Sequence, residues 1–133
     1  MKGKYVFIIS NNKAELEVLE ESIKEVYPDV CCLSFIFADE ALRIIGSELN
    51  TVPSYIFIDA DLSRVTGPDC LRILKRIPKL ISCKIVMFGA VMPQAVGNSF
   101  IKLGAFDFFQ KPVAGSSYKI TIESIIEKIA EAA

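Results

Sequence analysis

Two carboxylates, one ammonium and a few small polar residues stand where the short apolar runs of this chain stop. Asp59 and Asp61 follow Tyr55-Ile56-Phe57-Ile58, and Lys111 follows Phe106 to Gln110. Ser10-Asn11-Asn12 follow Tyr5 to Ile9, and Gly89-Ala90 follow Lys84 to Phe88. A carboxylate facing an ammonium across a sheet edge can accept a phosphoryl group, because lysine neutralises phosphate oxygens as a compact point charge. No G-x-x-x-x-G-K-[ST] and no G-x-G-x-x-G occurs, so nucleotide and dinucleotide binding have no motif behind them. The acceptor chemistry needs these run-ends to meet in space, so the elements that carry them decide the reading.

Tyr5 to Ile9 and Tyr55 to Ile58 are unbroken β-branched and aromatic runs, the pattern of strands buried on both faces of a parallel sheet. Val30 to Phe35, Lys84 to Phe88 and Phe106 to Gln110 read as three further strands. Between them, Leu16, Leu19 and Ile23 recur at helical spacing before Pro28, and Ala38 to Leu49 carries Ala41, Leu42, Ile44 and Ile45. Asp69 to Ile77 reads as a helix closed by Pro78, Pro93 to Leu103 as a short one ended by Gly104, and Ser117 to Ala130 as the last, with Ile120, Ile122, Ile125, Ile126 and Ile129 in one stripe. The expectation is an α/β fold: one domain over residues 1–133, a doubly wound five-stranded parallel sheet with five helices. In such sheets functional groups gather beyond the carboxyl ends of the central strands, which brings the run-ends into a single candidate site.

Composition removes several alternatives. With 133 residues, 52% of them hydrophobic and 23% charged, the chain can bury one core and is no disordered segment. Fifteen Lys and Arg against sixteen Asp and Glu leave a net charge of -1, so no overall field draws it to nucleic acid or an anionic membrane. The absence of His excludes a His base, a His metal ligand and a phosphohistidine. The four Cys form no C-x-x-C pair and read as buried, reduced thiols of a cytoplasmic protein, with Cys31 and Cys32 on opposite faces of a strand. The apolar run Ile85 to Met92 is far short of the roughly 20 residues that cross a bilayer. The basic start lacks a small-residue cleavage site, so no signal peptide is expected.

Two stretches are more specific: Ile58-Asp59 with Gly67 eight positions after the aspartate, and Gly104-Ala105-Phe106-Asp107-Phe108-Phe109-Gln110-Lys111-Pro112. On these, from Lys4 to about Ile129, the sequence resembles the receiver domain of bacterial response regulators. The resemblance implies a signalling domain of two-component phosphorelays and not an enzyme. It makes Asp59 the phosphoacceptor, fed by a histidine kinase or phosphotransfer protein, and Lys111 the group that pairs with the acceptor or its phosphate. It further implies a cis bond from Lys111 to Pro112, a metal ligand in the backbone carbonyl of Asp61, and a switch aromatic in Phe108. A downstream protein target would meet the fourth helix, fifth strand and fifth helix; a homodimer stays open.

The departures from that family are as informative. Its two metal-binding acids are replaced by Ser10 and Asn11, or by Asn11 and Asn12 if the register slips by one. Mg²⁺ is bound largely through carboxylates and phosphate oxygens, so Asp59, helped by the side chain of Asp61, would hold it weakly and phosphoryl transfer would be slow. Gly89 replaces the Thr or Ser whose hydroxyl follows the phosphate, Ser63 replaces a proline, and Thr66 often has an acidic counterpart. Blander roles stand beside these: Asp59 as a turn cap, Asp61 as a solvated loop carboxylate, Lys111 as a structural ion pair, and Asn11 and Asn12 as turn formers or a helix cap. Phe106 and Phe108 are expected on one face of the last strand, with one of them partly exposed. The first reading is an inefficient phosphoacceptor, and the alternative is a pseudo-receiver that binds protein without phosphate control. A third class, a flavin carrier on the same fold, would want a Gly/Ser/Thr-rich loop where Ser10-Asn11-Asn12-Lys13 stand.

Overall fold

The structure, a computed structural model, describes residues 4–48, 51–113 and 118–132. Five parallel strands, β1 (Tyr5–Ile9), β2 (Cys31–Phe35), β3 (Tyr55–Asp59), β4 (Lys84–Gly89) and β5 (Asp107–Gln110), form one sheet in the order β2-β1-β3-β4-β5. Five α-helices connect them: α1 (Lys13–Val26), α2 (Ala38–Arg43), α3 (Gly67–Lys75), α4 (Gln94–Lys102) and α5 (Lys119–Ala132). This is the expected doubly wound sheet. Its order reverses between β1 and β3, where chain crossovers leave to opposite faces and a crevice opens at the strand ends.

The helices divide between the two faces. Leu16, Leu19 and Ile23 of α1 and Ile122 and Ile125 of α5 pack against Val6, Ile8, Phe57, Val86 and Phe88. Ala38 and Ala41 of α2, Cys70, Leu71 and Leu74 of α3 and Phe100 of α4 pack against Phe7, Ile9, Ile56, Ile58, Ile85 and Met87. Successive strand residues thus feed opposite cores, which is why β1 carries no charged or small polar residue and β3 none before Asp59. No helix among the described residues is long and apolar enough to cross a membrane.

Several element ends differ from the sequence expectation for local reasons. Thr66 caps α3, accepting the Asp69 N–H at 3.2 Å, so that helix begins at Gly67 rather than Asp69. It stops at Lys75, and Pro78 opens a 3₁₀ turn (Pro78–Leu80) instead of closing the helix. The second helix loosens after Arg43 into a π-helical turn (Ile44–Glu48), where Ser47 Oγ donates to the Arg43 carbonyl at 2.7 Å beside Gly46. Leu49, Ser117 and the side chain of Ile129 lie outside the described residues. Only Cys70 and Cys83 are buried, and burial pushes both thiols up to about 12. Cys31 is exposed and Cys32 half-buried, because β2 is an edge strand whose outer positions no helix covers.

Candidate functional site

Strand register assembles the site. Ile9 pairs with Ile58, so the next residues, Ser10 and Asp59, stand level at the carboxyl ends of β1 and β3. Asp59 pairs with Phe88 and Gly89 with Gln110, which sets Ala90 and Lys111 at the same edge. The Lys111 N–H donates to the Gly89 carbonyl at 2.8 Å and the Ala60 N–H to the Phe88 carbonyl at 2.7 Å, holding the loop mouths in step. Gly67 belongs to this frame: a Cβ there would come within 2.8 Å of the Ala60 Cα, so only glycine lets α3 start this close to the Asp59 loop.

The Asp59 carboxylate is 4% exposed and fully engaged. Its Oδ2 accepts from Ser10 Oγ at 2.8 Å and from Lys111 Nζ at 3.0 Å, while Oδ1 accepts the Asp61 N–H at 2.9 Å. Lys111 Nζ lies 5.6 Å from the centroid of the Phe88 ring and 3.9 Å from Asp61 Oδ2. Buried ion pairs persist where further hydrogen bonds satisfy both partners, and here a neutral hydroxyl supplies the extra one. Asp61 is half exposed and also clamps β4, its Oδ2 accepting the Ala90 N–H at 3.0 Å.

Asn11 and Asn12 are both committed elsewhere. Asn11 Nδ2 donates to the Ile36 carbonyl at 2.7 Å, and its Oδ1 accepts from the Ser63 N–H at 2.7 Å and Ser63 Oγ at 3.0 Å, tying three loops together. Ser63, whose N–H a proline would lack, is the partner that makes this tie possible. Asn12 caps α1, accepting the Glu15 N–H at 3.1 Å. Receiver domains as a class bind Mg²⁺ at their phosphorylation site. The residues here do not fit a firmly held Mg²⁺: Ser10 points its proton at Asp59, the Asn11 carbonyl is occupied, and among the described residues no group of three or more Cys, Asp or Glu side chains could hold a metal.

Gly89 and Phe108, expected from the resemblance at switch positions, are equally distinctive. A Cβ on Gly89 would lie 3.3 Å from Met92 Cε, 3.4 Å from Ala60 Cβ and 3.5 Å from Asp61 Oδ2, so a side chain there needs only a small shift of the Met92 tip. Phe108 lies half-buried against the core that includes Met87 and Phe100, and its ring fills the space over Gly97 of α4 where any Cβ would overlap it. Phe106 does not share that face. It precedes the strand, which starts at Asp107, and packs into the opposite core with Lys84 Nζ 5.3 Å from its ring centroid. The bond from Lys111 to Pro112 is trans, against the expectation carried by resemblance. The lysine reaches Asp59 with that bond as it stands.

Three residues at or near the site escaped the sequence reading. Gln110 Oε1 accepts the Met92 N–H at 3.0 Å and pins the loop after β4 to β5, for which the sequence offers no signal. Gly97 did leave one, since an isolated glycine inside a helical pattern often marks a close approach. Glu15, in the first turn of α1, buries Oε1 without a hydrogen-bond partner. Burial pushes its carboxyl above the ordinary value of 4.5, Lys111 pulls it down, and Asp59 pushes it up. A carboxyl raised on folding costs stability once the pH passes its unfolded value, so Glu15→Gln is expected to raise the melting temperature at pH 7. Thermal unfolding against pH checks this: the gain should close as the pH falls below 4.5.

With this geometry in view, the comparisons with known proteins converge. The model of the response regulator receiver domain family matches residues 6–123, and the chain belongs to that family. The fold is similar to the receiver domain of a DNA-binding response regulator (merR) from Colwellia psychrerythraea 34H, at 16% identity and TM-score 0.80 over 96% of this chain and 98% of that one. It is similar also to the chemotaxis response regulator CheY4 of Vibrio cholerae, at 12% identity and TM-score 0.79 over 95% and 98%. A CheY-like receiver from Methanospirillum hungatei JF-1 shares 22% identity with TM-score 0.73 over 96% and 94%. No curated protein matches the sequence. The chain is thus a receiver domain of the two-component response regulator type, a class generally without enzymatic activity of its own.

Proposed function

We propose that this chain is a receiver that works as a protein-interaction module with its output face set independently of phosphate. The observation that carries this reading is the Ser10 hydroxyl donating to Asp59 at 2.8 Å, in the place where the family carries a metal-binding acid. It leaves the carboxylate satisfied inside the chain by a neutral hydroxyl and one ammonium, with no acid at the Ser10 position to help hold a cation. Gly89 removes the hydroxyl that would follow a phosphate, and Phe108 already lies inward over Gly97. The face formed by α4, β5 and α5 would then meet a downstream protein in one fixed arrangement, inside the cytoplasm.

The second reading, slow phosphorylation of Asp59 by a histidine kinase or phosphotransfer protein, draws support from the 3.0 Å contact of Lys111 with the carboxylate. Intact mass after incubation with Mg²⁺ and acetyl phosphate separates the two, with Asp59→Asn run beside the parent. The expected result is no added phosphoryl group on either protein. One group on the parent and none on Asp59→Asn would establish the phosphoacceptor instead.

A further inference from the structure

The opposite end of the sheet carries a second concave site. At the amino ends of β1, β3 and β4 a cleft of about 250 Å³ is lined by Lys4, Ser54, Ser82 and Lys84, with Val52, Pro53 and Tyr55 completing its lining. No carboxylate lines it. Among the described residues neither lysine forms an ion pair, and Lys84 Nζ lies 5.3 Å from the centroid of the Phe106 ring, a contact that leaves its hydrogen bonds open. The walls are set by backbone: the Ser54 N–H donates to the Tyr5 carbonyl at 2.8 Å and the Lys84 N–H to the Ser54 carbonyl at 3.0 Å. Every side chain that brings a polar group to the cleft can donate, and two of them carry positive charge.

We propose that this cleft binds a phosphoryl group, with Lys4 and Lys84 neutralising its charge and the Ser54 and Ser82 hydroxyls donating to its oxygens. Two ammoniums and two hydroxyls presented by separate segments suit a compact oxyanion with several acceptor oxygens better than a planar carboxylate. The exposed Val52 and the neighbouring Pro53 of the lining suit an apolar body on a phosphate monoester, while the cleft also has room for free phosphate. The site is separate from Asp59 and Lys111, which stand at the other ends of the strands, and it does not depend on whether Asp59 is phosphorylated.

Backbone-amide NMR of the full chain, titrated with phenyl phosphate and separately with inorganic phosphate, tests the assignment. Saturable shifts centred on Ser54, Tyr55, Ser82 and Lys84 are expected. Lys4→Met with Lys84→Met should weaken them about tenfold, Ser82→Ala should weaken them less, and Lys102→Met, in the last turn of α4, should leave them unchanged. Tighter binding of phenyl phosphate identifies a monoester as the ligand, and equal affinity identifies free phosphate. Shifts that do not saturate, that centre on Ser10, Asp59 and Lys111, or that survive both lysine substitutions in a folded protein overturn the proposal.

Discussion

Ser10→Asp is expected to lower stability by about 2–4 kcal/mol at neutral pH without divalent cation, far more than Ser10→Ala, which forfeits only a hydrogen bond at roughly 1 kcal/mol. Ser10 is completely buried; its hydroxyl donates to Asp59 and accepts the Asn12 N–H at 3.2 Å. An aspartate there replaces a donor by a second anion against a carboxylate that has one ammonium, Lys111, to share. Like charges in one site raise the pKa of the pair, so the folded variant takes up a proton that its unfolded chain releases. The penalty therefore grows as the pH rises through the carboxylate range and fades below about pH 4. The same charge should make the variant, alone or with Asn11→Asp, gain melting temperature on addition of MgCl₂, whereas the parent gains little. Thermal unfolding of parent and variants across pH, with and without MgCl₂, reads both effects. An equal Mg²⁺ gain in the parent would mean that the neutral site holds the cation as well as an acidic one, contrary to the fit argued from Ser10 and Asn11.

The sequence made the frame of this site legible because strand ends in a parallel sheet are marked by abrupt changes of residue type. Ile58-Asp59 and Gln110-Lys111-Pro112 show such changes, and the register of β3, β4 and β5 then brings Asp59 and Lys111 together without further information. What the sequence did not carry was the direction of each polar side chain. Asn11 stands where a metal ligand stands in the family, yet its amide spans Ile36 and Ser63, residues 25 and 52 positions away. Alternation along β5 also misled at Phe106, because alternation holds only inside a strand and this strand begins one residue later. Cys31 was misplaced for a related reason: its burial depended on strand order, and β2 lies at the edge.

Gly97→Ala should be destabilising by about 1–2 kcal/mol, although alanine is the better helix former by roughly 1 kcal/mol. The Cβ it adds would fall inside the ring of Phe108, an overlap too deep for a small shift of one side chain. Either α4 lifts from β5, opening the packing around Phe100 and Met87, or Phe108 turns outward and exposes its ring. Both responses change the α4 and β5 face proposed here to meet a partner. Phe108→Ala leaves a gap of its own, but on that background the new methyl meets no ring, so Gly97→Ala should turn stabilising and the two substitutions should couple by more than about 1 kcal/mol. A double-mutant cycle by urea unfolding measures the coupling, and ring NMR of Phe108 in the single variant shows which response is taken. Additive effects would mean that the aromatic is not seated by the glycine. The fixed output face proposed for this chain would then need another cause than the contact between α4 and β5.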